Sequence, residues 1–168
     1  MANDPSSRSL LIEWSDPAQI LAAARSGRYS TGREMLQAMA DGELPPPPIG
    51  KLLGYWPAAF EDGRAVFECD PGEQHYNPMG IVHGGIAATL LDTVLACAIH
   101  TRLPITASYT TLELKVNYIR PMTAATGRVR AIGEVLHLGQ RTATSDGRIE
   151  TADGRLIAHG TTTCLILS

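Results

Sequence analysis

The feature that most limits what this chain can fold into is the stretch from Ile86 to Ile99, its most apolar run, which carries one carboxylate, Asp92. Alanine and leucine dominate the run, and both favour helix. A helix that is apolar on every face belongs inside a fold, covered on all sides. Taken from Gly84 to about Thr101, it would be roughly 27 Å long at 1.5 Å per residue. A membrane span needs ~20 apolar residues without a charge, and an aspartate near its centre costs ~3 kcal/mol. The run therefore reads as a core helix that a sheet must wrap.

A polar loop precedes it: Asn77-Pro78-Met79-Gly80-Ile81-Val82-His83-Gly84-Gly85. The first-turn amides of a helix have no internal acceptors and carry about half a positive charge. Glycines at that point let a ligand approach the backbone closely. Asp92 follows Gly85 by seven residues and Gly84 by eight. Two turns take ~7.2 residues, so the carboxylate shares a face with the helix start, ~11 Å along it. That is too far for both to act on one carbonyl within one chain. If both are catalytic, two chains contribute to each site.

The rest of the chain supplies the wrapping. Asp16-Pro17 caps a short helix running to about Ser26, after a loose lead-in over residues 1–15. Thr31-Gly32-Arg33-Glu34 is a capping-box pattern opening a second short helix that Gly42 ends. Pro45 to Pro48 reads as an extended spacer. Strand patterns follow over Leu52–Ala59 and Arg64–Asp70, joined by the turn Glu61-Asp62-Gly63. Further strands are expected over Ser108–Ile119, Thr123–His137, Thr142–Thr151 and Leu156–Leu167, with a bulge at Asp146-Gly147. The order, a hairpin, one buried helix and a run of antiparallel strands, fits a curved α+β sheet around that helix. Residues 1–48 form an N-terminal helical extension and linker, and residues 49–168 form the main domain.

At 168 residues the chain has enough length for one such core. A net charge of -3 implies no basic surface for nucleic acid. The two short helices could resemble a DNA-reading pair, but residues 1–48 carry more acids than arginines, a poor match to phosphates. Cys69, Cys97 and Cys164 are odd in number and widely spaced, which suits neither a disulfide framework nor a metal site and fits a reducing cytoplasm. No secretory signal is expected at the N-terminus.

Asn77, the run Gly80-x-Val82-His83-Gly84-Gly85 and Asp92-Thr93 resemble the signature of hotdog-fold acyl-CoA thioesterases, in the subgroup named for the phenylacetic-acid-pathway thioesterase and within the 4-hydroxybenzoyl-CoA thioesterase superfamily. The resemblance covers roughly residues 50–168. It implies hydrolysis of an acyl-CoA to acid and CoA, in a homodimer or a dimer of dimers. No metal and no cofactor are expected, since the CoA belongs to the substrate, and neither is a nucleic-acid or membrane partner. It assigns Asp92 as base or nucleophile, the Gly84 amide as the group that polarises the thioester oxygen, and Asn77 as a contact to the water or thioester from the opposite chain. His83 is read as orienting the loop rather than moving a proton. A strand hydroxyl that orients water is expected at Thr110 or Thr111, and we assign Thr110. Gly85, Thr93, Arg120, His137, Gly139 and Arg141 are assigned to substrate and CoA binding, the arginines as phosphate partners.

The residues also leave blander readings open. Asp92 could be a buried acid satisfied by Thr89 or Thr93, and the arginines could be solvated surface charges. The same fold could serve as a non-catalytic acyl-CoA binder. An enoyl-CoA hydratase of the same fold would place its Asp and His close together, whereas Asp92 follows His83 by nine residues.

Overall fold

The computed structural model describes residues 8–167, so the first half of the expected lead-in lies outside it; residues 8–16 have no regular secondary structure. In chain order the elements are α1 (Ala18–Arg25), α2 (Gly32–Ala40), α3 (Pro48–Leu53), β1 (Tyr55–Glu61), β2 (Arg64–Cys69), α4 (Gly84–His100), β3 (Ser108–Tyr118), β4 (Val129–Leu138), β5 (Thr142–Thr151) and β6 (Leu156–Leu167). The six strands form one antiparallel sheet in the order β1-β2-β4-β5-β6-β3. It curves around α4, the hotdog arrangement that the motif implied.

The apolar run becomes the axis of the core. Leu90, Leu91, Val94, Leu95 and Ile99 of α4 are all within 1% of complete burial. Burying each such side chain contributes about 1.5–3 kcal/mol. Where α4 meets the centre of the sheet, the facing residues are glycines. Gly133, Gly147 and Gly160 stand side by side on β4, β5 and β6. A Cβ on Gly133 would lie 2.6 Å from the Val94 carbonyl oxygen, and one on Gly147 would lie 2.9 Å from Leu95 Cδ2. The helix thus rests on bare main chain across three strands.

The outer face of the sheet is laced with ion pairs such as Arg64–Glu134 and Arg148–Glu150. Edge strand β1 packs against α2 and α3. At the opposite edge, β3 pairs with β6 alone and its other side meets no strand.

The N-terminal helices share the main core: Met35, Leu36 and Met39 of α2 are buried in one cluster with Tyr55, Phe67 and Leu90. The expected capping box is present, with Thr31 accepting from the Glu34 amide and Glu34 accepting from the Thr31 amide. Gly32 seats against His100 so closely that a Cβ would lie 2.2 Å from the imidazole, and its amide donates to the Leu103 carbonyl at 3.0 Å.

Three expectations change. The proline spacer ends in a helix, because Pro48 suits a first helical position and Gly54 closes α3 in the left-handed region, so β1 begins at Tyr55 rather than Leu52. Residues Ala124–Thr126 form a 3-10 turn, so β4 begins at Val129 rather than Thr123. No bulge occurs at Asp146-Gly147: both residues pair in register, and the glycine serves the close approach of the helix instead.

Candidate active site

The loop before α4 is held by its own polar groups. Asn77 Oδ1 accepts from the amides of Met79 (2.9 Å) and Ile81 (3.4 Å). Its backbone amide donates to the Ile81 carbonyl at 2.8 Å. With Oδ1 engaged, the Asn77 side chain has donor hydrogens left to offer. Buried His75 accepts from the Gly72 amide through Nδ1, and burial lowers its pKa, favouring the neutral ring. His83 caps α4, its Nδ1 accepting from the Gly85 amide at 2.9 Å. That geometry is an orienting one. The Gly84 amide, at the first helical position, has no intrahelical acceptor.

Gly84 lines a cleft of about 320 Å³ with Asn77, His83, Tyr118, Arg120 and Met122. Tyr118 covers the glycine: its hydroxyl donates to the Gly84 carbonyl at 3.2 Å, and a Cβ on Gly84 would stand 3.2 Å from its ring. Arg120 donates through Nη1 to the Leu156 carbonyl at 2.6 Å, which pins it at the rim.

Asp92 lines a different cleft, of about 440 Å³. It is half-buried and accepts a hydrogen bond from Thr111 Oγ1 at 2.9 Å. Neither nearby helix threonine satisfies it. Thr89 donates back to the Gly85 carbonyl, and Thr93 pairs with the Tyr55 hydroxyl at 3.2 Å. Cys97 and Tyr109 complete that side of the cleft, and burial raises both pKa values, that of the thiol to about 12. Cys97 is therefore a thiol there, not a nucleophilic thiolate.

The strand hydroxyl bonded to Asp92 is that of Thr111, the other member of the pair from which Thr110 was assigned. Counting back in steps of two from Tyr118, whose ring lies over α4, leads to Thr110. A bulge between Thr111 and Glu113 adds one residue and reverses the alternation. Tyr109 and Thr111 face the helix on one side of the bulge, and Leu114 and Val116 on the other. Thr110 is exposed on the rim of the same cleft.

The structure brings Asn77, His83, Gly84 and Arg120 together at the helix start, and Asp92, Thr93 and Thr110 at the second cleft. Within one chain these are separate places. His137, Gly139 and Arg141 lie around the β4–β5 turn and line neither cleft. The sequence alone assigned no role to Tyr55 or Tyr118, and it left Thr111 as the alternative to Thr110. Tyr118 was within sight, because it stands in the strand-end run Asn117-Tyr118-Ile119-Arg120-Pro121, where only the arginine drew notice.

A sequence model described as "Thioesterase superfamily" matches residues 79–158. The chain is 31% identical over 137 residues to 1,4-dihydroxy-2-naphthoyl-CoA hydrolase of Escherichia coli (strain K12), a match covering 80% of this chain and 93% of that one. It is 29% identical over 129 residues to acyl-coenzyme A thioesterase 13 of Homo sapiens, covering 76% and 89%. Among solved structures, a variant of the phenylacetic acid degradation protein PaaI from Thermus thermophilus matches with a TM-score of 0.64 at 30% identity, covering 71% of this chain and 98% of that one.

Proposed function

The chain belongs to the thioesterase superfamily, and on that premise we propose that it hydrolyses an acyl-CoA thioester to free acid and CoA at sites shared by two copies. One observation carries the reading. The unpaired edge strand β3 touches both half-sites: Thr111, near its start, holds Asp92, and Tyr118, at its end, covers Gly84. Antiparallel pairing of two β3 edges, centred between Leu114 and Lys115, sets Thr111 of one copy opposite the partner's Tyr118. Each Asp92 then faces its neighbour's helix start, and the ~11 Å that separates the groups along one helix ceases to be an obstacle.

In this reading the thioester carbonyl rests against the Gly84 amide and the free donors of Asn77. Such a preorganised donor is worth ~3 kcal/mol as negative charge develops on the oxygen. The structural use of Asn77 Oδ1 favours that donor role over acceptance from water. Asp92 of the other copy takes the proton of a water whose hydroxyl adds to the carbonyl carbon, or attacks that carbon itself; Thr111 holds the carboxylate in either case. The C–S bond then breaks, and CoA leaves as thiolate and takes up a proton; on the second route water then cleaves the acyl–Asp92 anhydride, releasing the free acid and restoring the carboxylate. Arg120 flanks the exit of the pantetheine arm. The reading uses no metal or cofactor of the protein's own. Among the described residues no helix is long and apolar enough to cross a membrane, and the three free cysteines suit the cytoplasm.

The test is thiol release across a panel of acyl-CoAs, with enoyl-CoA hydration measured alongside. Hydrolysis of at least one thioester supports the reading. Tight acyl-CoA binding without thiol release would replace it with a ligand-binding role, and hydration with a hydratase.

A further inference from the structure

The cleft beside Asp92 has two walls of different origin. The inner wall comes from α4, β1, β2 and β3. The outer wall comes from the N-terminal segment: Leu36, Met39, Pro46, Pro47, Ile49 and Gly50. That segment lies wholly outside the matched region 79–158. Resting on the function proposed above, we propose that residues 36–50 form a fixed wall that selects the acyl group by size, with Met39 and Ile49 as its specificity-determining side chains.

The wall is built in place. Gly32 and His100 interlock, and the Gly32 amide bonds the Leu103 carbonyl at 3.0 Å. The Ile105 amide bonds the Ser30 carbonyl at 3.0 Å, so α2's first residue and the chain just before it are tied to the loop after α4. Prolines restrict the backbone between α2 and α3. Within the cleft the Tyr55 hydroxyl pairs with Thr93 Oγ1 at 3.2 Å.

The volume sets the scale. A cavity of ~150 Å³ takes a benzene ring, so ~25 Å³ serves each carbon. About 440 Å³ holds fewer than about eighteen carbons when full, and an open cleft is never full. The chamber suits a largely apolar acyl group of roughly ten carbons, as a bicyclic aryl or a medium chain. Met39 is 7% exposed and packs into the core, whereas Ile49 is 46% exposed and presents its side chain at the rim. Methionine fits irregular space and tolerates replacement.

The experiment compares Ile49→Trp and Met39→Ala with the parent, measuring kcat/KM for butyryl-, octanoyl-, decanoyl- and 2-naphthoyl-CoA. A misfit of one methylene changes discrimination by about 10–200-fold. The decanoyl-to-butyryl ratio is expected to fall at least about tenfold in Ile49→Trp and to rise in Met39→Ala. Binding of S-butyl- and S-decyl-CoA thioethers by calorimetry gives a second readout independent of turnover, on which the same opposite shifts are expected. If no thioester is hydrolysed but the thioether preferences shift this way, the hydrolase reading fails and the wall stands. Parallel loss for every chain length in both variants, or ratios within twofold of the parent, would overturn the wall. Circular-dichroism melts confirm that each variant is folded, and Ile49→Trp, at the exposed rim, keeps the question open to an answer if Met39→Ala loosens the core.

Discussion

Replacing Asp92 with asparagine separates chemistry from architecture. Among the described residues the carboxylate has one hydrogen-bond partner, Thr111 Oγ1 at 2.9 Å, and an asparagine Oδ1 can accept the same bond. A hydrogen bond to a charged group contributes about 1.5–3 kcal/mol and a neutral one about 1 kcal/mol. Against that loss stands the desolvation of a half-buried charge, which the variant no longer bears. The two terms oppose each other, so stability should change by about 1 kcal/mol or less. In a chain of 168 residues that is a shift in Tm of about 2–4 °C at most. Turnover is another matter. A positioned general base contributes about 10²–10⁴-fold, or roughly 2.7–5.4 kcal/mol of barrier at 1.36 kcal/mol per decade. Because the proton moves only in the transition state, kcat and kcat/KM should fall together. Thiol release followed by a chromogenic disulfide, with thermal melts on the same samples, reads both quantities. Turnover within threefold of the parent would remove Asp92 from the mechanism. A Tm loss beyond about 10 °C would make it a structural residue instead.

Three further outcomes are expected. Mixed oligomers of Asp92→Asn and Asn77→Ala chains should exceed the mean activity of the two parents, since each mixed dimer contains one intact site; activity at the mean would refute sharing between copies. Gly133→Ala should cost about 1–3 kcal/mol, because its Cβ would meet the Val94 carbonyl oxygen at 2.6 Å; an unshifted urea midpoint would show that the helix can back away. His100 is buried and its pKa falls from an ordinary value of 6.5 to about 4. The unfolded chain binds this proton below about pH 6.5 and the folded chain does not, so stability is full above that pH and lost between there and about 4, by roughly 3 kcal/mol. His100→Gln should flatten acid-melting curves over that window, and an equal slope in the variant would place the acid sensitivity elsewhere.

Much of this could be read from the residues. The helix followed from the composition of Ile86–Ile99, and the shared face of Gly84 and Asp92 from its period. The strands followed from their alternation and turn residues. What stayed hidden depends on contacts between distant segments. The bulge at Thr111/Glu113 leaves no glycine or proline to announce it, yet it decides which threonine reaches Asp92. The roles of Gly133, Gly147 and Gly160 depend on a helix that arrives from a distant part of the sequence; Gly147 therefore looked like a bulge. Tyr55 meets Thr93 only once the sheet has closed around the helix.

The bare stripe of main chain beneath α4 has one more consequence. At Gly133 the sheet meets the helix backbone itself, a mechanical stop that depends on no side chain, while Gly147 and Gly160 receive Leu95 and Leu91. Mutational drift elsewhere in the interior can exchange one methyl group for another while the standoff between the axis and the sheet stays put. The depth at which α4 sits over β4 is thereby insulated from the interior's changing composition, so the acyl chamber can be recut to new sizes while the helix that carries Asp92 keeps its seat.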